Sequence, residues 1–320
     1  MTYSRLPSSL GYLSALVAGV LTTLTASPYE LWWLGPLAAG LVYWAVKPLH
    51  PRRAALLGWC YGVGLFGSGA SWVYVSIHDY GYTGVPLALF LTSLFVGALA
   101  LFPAATLWLY RLLCGPRLAF LSFAGAWVLG EWLRTWLFTG FPWLLLGSSH
   151  VDSPLALWAP VGGVYLLSLI VALSGTLGVE FLHRRWWALL PIAALWLAPL
   201  SLPAQWTEPA GEPLQVALLQ GNLDQLIKWT PEGQRTAANT YLDMTREHAD
   251  EADLIIWPEA ALPMFADEAE PLLARAQVHL APDSALLTGI LQREGRGLYY
   301  NSVNALGNAE GENRKEHLVP

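Results

Sequence analysis

Long apolar stretches separated by short polar breaks fill the chain up to about residue 204, and the pattern then changes. Uncharged stretches cover 6–29, 31–46, 54–77, 80–110, 118–130, 154–179 and 186–207. A helix of about 20 mostly apolar residues crosses a bilayer, so the pattern predicts seven spans. The second stretch is short, which predicts a tight helical hairpin around Ser27-Pro28-Tyr29-Glu30. Beyond Leu214 the apolar runs shorten and alternate with amphipathic ones. Strands are predicted over 214–219, 254–257, 285–290 and 300–306, with helices over 231–248 and 271–280. Thr230-Pro231-Glu232 supplies an N-cap, a proline at the first helical position and an acid in the first turn. Strands alternating with helices indicate an α/β layer fold. The expected fold is therefore a polytopic α-helical membrane domain, 1–204, followed by an α/β domain, 205–320.

Composition sharpens this division. Of 320 residues, 55% are hydrophobic and 12% charged, about half the charge of an ordinary soluble domain. Residues 1–204 hold nine Lys and Arg, five Asp and Glu, and 14 of the 17 Trp. The remainder holds 17 − 9 = 8 basic and 23 − 5 = 18 acidic residues, a net charge of −10. An acidic soluble half argues against a nucleic-acid partner. Basic residues also orient the spans. Arg5, Lys47, Arg52, Arg53, Arg111, Arg117, Arg184 and Arg185 fall on one side, and only Arg134 on the other. The expected orientation puts those eight in the cytoplasm and the α/β domain outside.

Candidate chemistry is sparse. Glu259 directly follows an apolar strand, where open α/β sheets build their sites. A carboxylate there can be partly desolvated and act as a base, or it can simply start a surface turn. Lys315 on its own is one charge in a polar run. Glu131 and Arg134 share a helix face and could pair; charge at membrane depth is costly and raises a functional role as well. Gly140-Phe-Pro-Trp143 cannot continue a helix comfortably and reads as a loop in the outer leaflet. Cys60 and Cys114 fall in or at the inner ends of spans and read as packing residues. No metal or phosphate-loop motif is present, and no cofactor is expected.

Several segments together resemble one family. Leu219-Gln-Gly-Asn-Leu223, Lys228-Trp229, Leu254-Ile-Ile-Trp-Pro-Glu-Ala-Ala-Leu-Pro263, Tyr300-Asn-Ser302 and Lys315-Glu-His-Leu-Val-Pro320 are similar to the nitrilase-superfamily domain of the apolipoprotein N-acyltransferases. Gly58-Trp-Cys-Tyr-Gly62, Trp72-Val-Tyr-Val-Ser-Ile-His78, Glu131-Trp-Leu-Arg134 and Gly140-Phe-Pro-Trp143 resemble the membrane segments of that family. The resemblance implies a nitrilase-like αββα domain in the periplasm, carried on a multi-pass domain in the bacterial inner membrane. It implies transfer of an acyl chain from a phospholipid, typically phosphatidylethanolamine, to the N-terminal amine of a diacylglyceryl-apolipoprotein. The family works through a Glu–Lys–Cys triad and a thioester. Glu259 matches the Glu and Lys315 the Lys. Trp229 matches an aromatic near the lipid pocket, and Trp143, Glu131 and Arg134 are further candidates for substrate binding. The family's nucleophilic Cys is expected beyond residue 320, with the chain forming an N-terminal portion, incomplete in its α/β domain and inactive alone. Two other readings stay open: a membrane-anchored nitrilase-like amidase, and a transporter with an outer domain.

Overall fold

A computed structural model describes residues 8–203, 205–295 and 297–316. Arg5, Ala204 and the 317–320 end of the last quoted motif lie outside the described residues. The chain divides into two compact units, Met1–Glu208 and Pro209–Pro320.

The first unit is helical. Its main helices are α1 (Ser8–Leu24), α2 (Leu34–Val46), α3 (Pro51–Gly69), α4 (Val85–Leu99), α5 (Leu101–Leu113), α6 (Ala119–Arg134), α7 (Ala159–Leu182) and α8 (Leu189–Leu197). The turn at 25–33 folds α2 back onto α1, forming the hairpin expected there. Two helical runs, Val85–Leu113 and Pro154–Leu182, are long and apolar enough to cross a membrane. The second bends at Gly162-Gly163, where Gly163 adopts φ +63°. The last helical stretch, Trp186–Ser201, is shorter than its predicted span. At 1.5 Å per residue it reaches only about 24 Å.

Glycines bring these helices into backbone contact. A Cβ on Gly19 would sit 2.2 Å from the Tyr61 carbonyl oxygen, and one on Gly64 would sit 2.1 Å from that of Leu16. The α1–α3 crossing therefore tolerates no side chain at either position, as in close-packed membrane helices. Elsewhere on the helices of this unit Leu13 of α1, Leu37 of α2, Phe90 of α4, Leu101 of α5 and Leu190 of α8 are exposed.

The buried charged residues of this unit are held by protein donors and acceptors, although Glu131 Oε2 has no partner among the described residues. Glu180, on α7, is 1% exposed and accepts from Lys47 Nζ at 2.7 Å, Tyr43 Oη at 2.7 Å and Arg185 at 2.5 Å. Three donors offset the cost of burying the carboxylate. Glu131 and Arg134 do not pair with each other, contrary to the sequence expectation. Glu131 Oε1 accepts from the Trp127 indole at 3.0 Å and from the Leu146 amide at 2.9 Å. Arg134 donates to the carbonyls of Phe141 at 2.8 Å, Trp143 at 2.5 Å and Leu144 at 3.4 Å. The loop after α6 leaves its backbone groups without helical partners, and these two side chains supply them.

The second unit contains one mixed sheet. Its elements are β1 (Val216–Leu218), α9 (Pro231–His248), β2 (Leu254–Ile256), β3 (Leu262–Phe265), α10 (Ala266–His279), β4 (Ala285–Glu294), β5 (Leu298–Gly307) and β6 (Glu312–Arg314). The strand order is β1-β2-β4-β5-β6, with β3 also on β4. The β1, β2, β3 and β4 pairings are parallel; β4–β5 and β5–β6 are antiparallel. Tyr241 and Leu242 of α9, Leu273 of α10, Ile255, Trp257, Leu262, Leu286 and Ile290 form the core.

Local chemistry explains the helix starts. The Thr230 hydroxyl accepts from the Gly233 amide at 3.1 Å, and α9 begins at Pro231 as predicted. Helix α10 begins at Ala266, five residues before the predicted start, and Pro271 lies inside it. Glu268 accepts from the Phe265 amide at 3.3 Å, so the acids ahead of the proline fix the start. Strands β3 and β6 were not predicted; at four and three residues they are too short to show a period.

Candidate active site

Strands β2 and β3 lie beside the same neighbour, β4, and the chain leaves the sheet between them. Ile256 pairs with Leu287 and Leu262 with Ile290, so residues 257–261 face only two residues of β4. The excursion is pinned at both ends: Trp257 N–H donates to Leu287 O at 2.8 Å, and Ala261 N–H to Gly289 O at 3.0 Å. Ala260 takes a left-handed φ of +49° to make the turn, a conformation that costs a non-glycine residue about 1–2 kcal/mol. Gly289 lies directly beneath. A Cβ there would be 2.5 Å from Pro258 O and 2.6 Å from Glu259 Cα. The bulge thus carries Glu259 out of the sheet and rests on a position with no room for a side chain.

The neighbouring ladder presents the partners of Glu259. Asn301, on β5, donates from Nδ2 to Glu259 Oε1. The same residue's carbonyl accepts the Lys315 amide at 2.8 Å. This places Lys315 Nζ 3.3 Å from Glu259 Oε1. Arg314 holds the strand that delivers Lys315: its Nε donates to Gln292 at 3.0 Å, its NH1 to Glu294 at 2.7 Å, and it stacks over Tyr300 at 4.4 Å. The hydrogen bond to Glu294, with the nearby carboxylate of Glu312, raises the Arg314 pKa above its ordinary value. Lys228 also lies within electrostatic reach. Burial pushes its ammonium down from the ordinary lysine value, and the Glu259 carboxylate pulls it back up.

Within this unit Glu259 is 62% exposed and Lys315 35% exposed. Of the two readings open for Glu259, partial desolvation is not seen within this unit, because the bulge lifts it off the sheet and away from the apolar core. The remaining candidates are distributed between the units. Trp229 is exposed, one residue ahead of the Thr230 cap. In the helical unit Trp143 is exposed, packing on Phe141 at 5.0 Å and Trp72 at 6.2 Å. Glu131 and Arg134 are buried and engaged by protein groups. Asn301 and Lys228 stand in quoted motifs, but no role was assigned to either. Their position beside Glu259 depends on strand pairing and loop packing that no local pattern reveals. Among the described residues, no cluster of His, Cys, Asp and Glu could hold a metal ion.

Residues 18–177 match the family model described as the apolipoprotein N-acyltransferase N-terminal domain. The chain belongs to the apolipoprotein N-acyltransferase family. Curated relatives carrying that name agree over both units. The protein of Azotobacter vinelandii is 43% identical across 100% of this chain and 65% of its own length. That of Pseudomonas syringae pv. tomato is 41% identical across 100% of this chain and 66% of its own length. That of Methylococcus capsulatus is 41% identical across 96% of this chain and 63% of its own length. The chain therefore spans just under two thirds of the length of these N-acyltransferases.

Proposed function

We propose that this protein serves phospholipid-dependent N-acylation of apolipoproteins, with Glu259 and Lys315 in the acyl-transfer site. The observation that carries the reading is the Glu259–Lys315 contact, held by Asn301 at a bulge between β2 and β3, in a chain of this family. In this reading the helical unit is a multi-pass domain of the bacterial inner membrane, and the second unit is a nitrilase-like αββα domain in the periplasm. Two long apolar helical runs, backbone-close crossings and an apolar outer surface support the membrane part.

The chemistry follows from the residue types. In this reading the nucleophile is the family's cysteine, expected beyond residue 320, and a thiol with a pKa of about 8.5 attacks poorly until it loses its proton. Glu259 takes that proton as sulfur attacks the ester carbonyl of the donor phospholipid, proposed to be phosphatidylethanolamine. The ammonium of Lys315 stabilises the resulting oxyanion. The oxyanion collapses, the carbon–oxygen bond to glycerol breaks, and Glu259 returns the proton to the departing oxygen, leaving a thioester. In the second half the α-amine of the diacylglyceryl-cysteine attacks the thioester. Glu259 takes the amine proton and delivers it to the leaving sulfur. Trp229 in the second unit and Trp143 in the helical unit are each proposed to contact lipid.

Transfer of a labelled acyl chain from phospholipid, in membranes carrying the protein together with the region that supplies this cysteine, tests this. Lys315→Met abolishes transfer while the protein remains folded and inserted, and Lys315→Arg recovers little, because a planar guanidinium does not replace a compact ammonium. Unchanged transfer in Lys315→Met would overturn the reading.

A further inference from the structure

The helical unit contains a cavity unconnected with Glu259 and Lys315. It occupies about 780 Å³ between the ends of α2, α5, α6 and α7. Lys47, Arg111, Arg117 and Arg185 line it, and Glu180 is the one carboxylate in the lining. Positive-inside placement explains why such residues share a side of the membrane. It does not require them to converge. Arg52 and Arg53, in the first turn of α3, and Arg184, beside Arg185, are not in the lining. The converging cations come from three separate places in the chain: Lys47 after α2, Arg111 in the last turn of α5 with Arg117 beyond it, and Arg185 after α7; the sum of four cations and one anion is a charge of +3.

The geometry leaves donors for a ligand. Glu180 is already engaged by Lys47, Arg185 and Tyr43. Arg111 is anchored through Nε to Leu49 O at 2.8 Å, which leaves its two terminal nitrogens for another acceptor. Arg117 makes no hydrogen bond or ion pair among the described residues. Helix α6 begins at the same place, and Leu118, with φ +55°, provides no side-chain cap, so the positive end of the helix dipole adds to the field. Leu118, Phe120 and Trp187 supply apolar wall. Guanidinium pairs beside a helix start suit a phosphate group, and the apolar wall suits the glycerol and first methylenes beyond it.

We propose that this cavity binds a phosphate-bearing anion, either the headgroup of an anionic phospholipid or a free phosphate. The lipid source rests on the membrane reading above. A protein that stays dispersed in water without detergent would defeat that reading, while phosphate binding would still report on the cavity.

The test uses the whole chain in phosphatidylcholine nanodiscs. Short-chain phosphatidylglycerol and phosphatidylcholine compete for it, with native mass spectrometry counting the bound lipid; a second arm measures the shift in Tm with inorganic phosphate. The expected result is retention of phosphatidylglycerol over phosphatidylcholine by at least about fivefold, the scale of one cation near an anionic headgroup. That preference is lost in Arg117→Glu, which disturbs no internal bond, and weakened in the Arg111→Gln/Arg117→Gln double variant. Inorganic phosphate that raises Tm and displaces the lipid assigns the site to free phosphate; lipid retention unaffected by phosphate assigns it to the headgroup. Equal binding of the two lipids with no phosphate effect would overturn the proposal. So would a preference unchanged in both variants.

Discussion

The two units treat their carboxylates in opposite ways. In the helical unit Glu180 is 1% exposed and meets three donors. Glu131 is also buried and receives two donors on one oxygen. In the second unit Glu259 is 62% exposed, and both of its donors share Oε1. A buried carboxylate enclosed by donors stays in place because moving it would strand several groups at once. Glu131 and Glu259 are both held through one oxygen, but the second oxygen of Glu131 is buried, whereas the side chain of Glu259 is exposed and can receive an incoming proton. Burial therefore marks the structural acids here, and exposure beside a cation marks the candidate base.

Arg134→Ala tests the structural side and carries the largest expected effect on stability. It strands the carbonyls of Phe141, Trp143 and Leu144, which the guanidinium gathers. Leaving a buried acceptor without its donor costs about 1–3 kcal/mol, and three carbonyls lose theirs together. Thermal unfolding in detergent should show a large fall in Tm. An unchanged Tm would mean that the loop after α6 holds itself.

Gly289→Ala tests the bulge from beneath. The new methyl group meets Pro258 O and Glu259 Cα, which are backbone groups that cannot swing aside. Displacing a reacting group by about 1 Å can lower a rate by about 10²-fold. Acyl transfer should fall on that scale, with little change in membrane insertion. Full activity would show that the position of Glu259 has latitude.

Asn301→Ala should have a smaller effect. It removes one donor from Glu259 but keeps the β5 carbonyl that receives the Lys315 amide. A lost hydrogen bond to a charged group is worth about 1.5–3 kcal/mol, and exposure places this one at the lower end, about tenfold in rate. The fall should appear in kcat, with KM for phospholipid unchanged. A change confined to KM would mean that Asn301 contacts substrate and does not position Glu259.

The same contrast explains what could be read from the sequence. Local signals succeeded: Thr230-Pro231 placed the start of α9, and the apolar run at 254–257 placed β2 and the turn to Glu259. Pro271 misled, because a proline reads as a helix start, whereas Glu268 had already fixed that start upstream. Non-local pairings were not legible. Glu180 meets Tyr43 and Lys47 across 137 and 133 residues, and Arg134 bonds to loop carbonyls that no side-chain pattern announces. Glu259 and Lys315 are 56 residues apart; family resemblance, not periodicity, brought them together before the sheet did.

The most direct test applies one substitution to both kinds of acid. Glu259→Gln and Glu180→Gln each remove a charge and keep the side-chain shape. Acyl-enzyme formation and Tm are measured together for the two variants, in the protein that carries the cysteine expected beyond residue 320. Glu259→Gln should lower acyl-enzyme formation by about 10²–10⁴-fold, the scale of a lost general base, with Tm unchanged. Glu180→Gln should lower Tm, losing about 1–3 kcal/mol of stability, while acyl-enzyme still forms in the folded fraction. Normal acyl-enzyme formation in Glu259→Gln, or its loss in a fully stable Glu180→Gln protein, would contradict the assignment of Glu259 as the base.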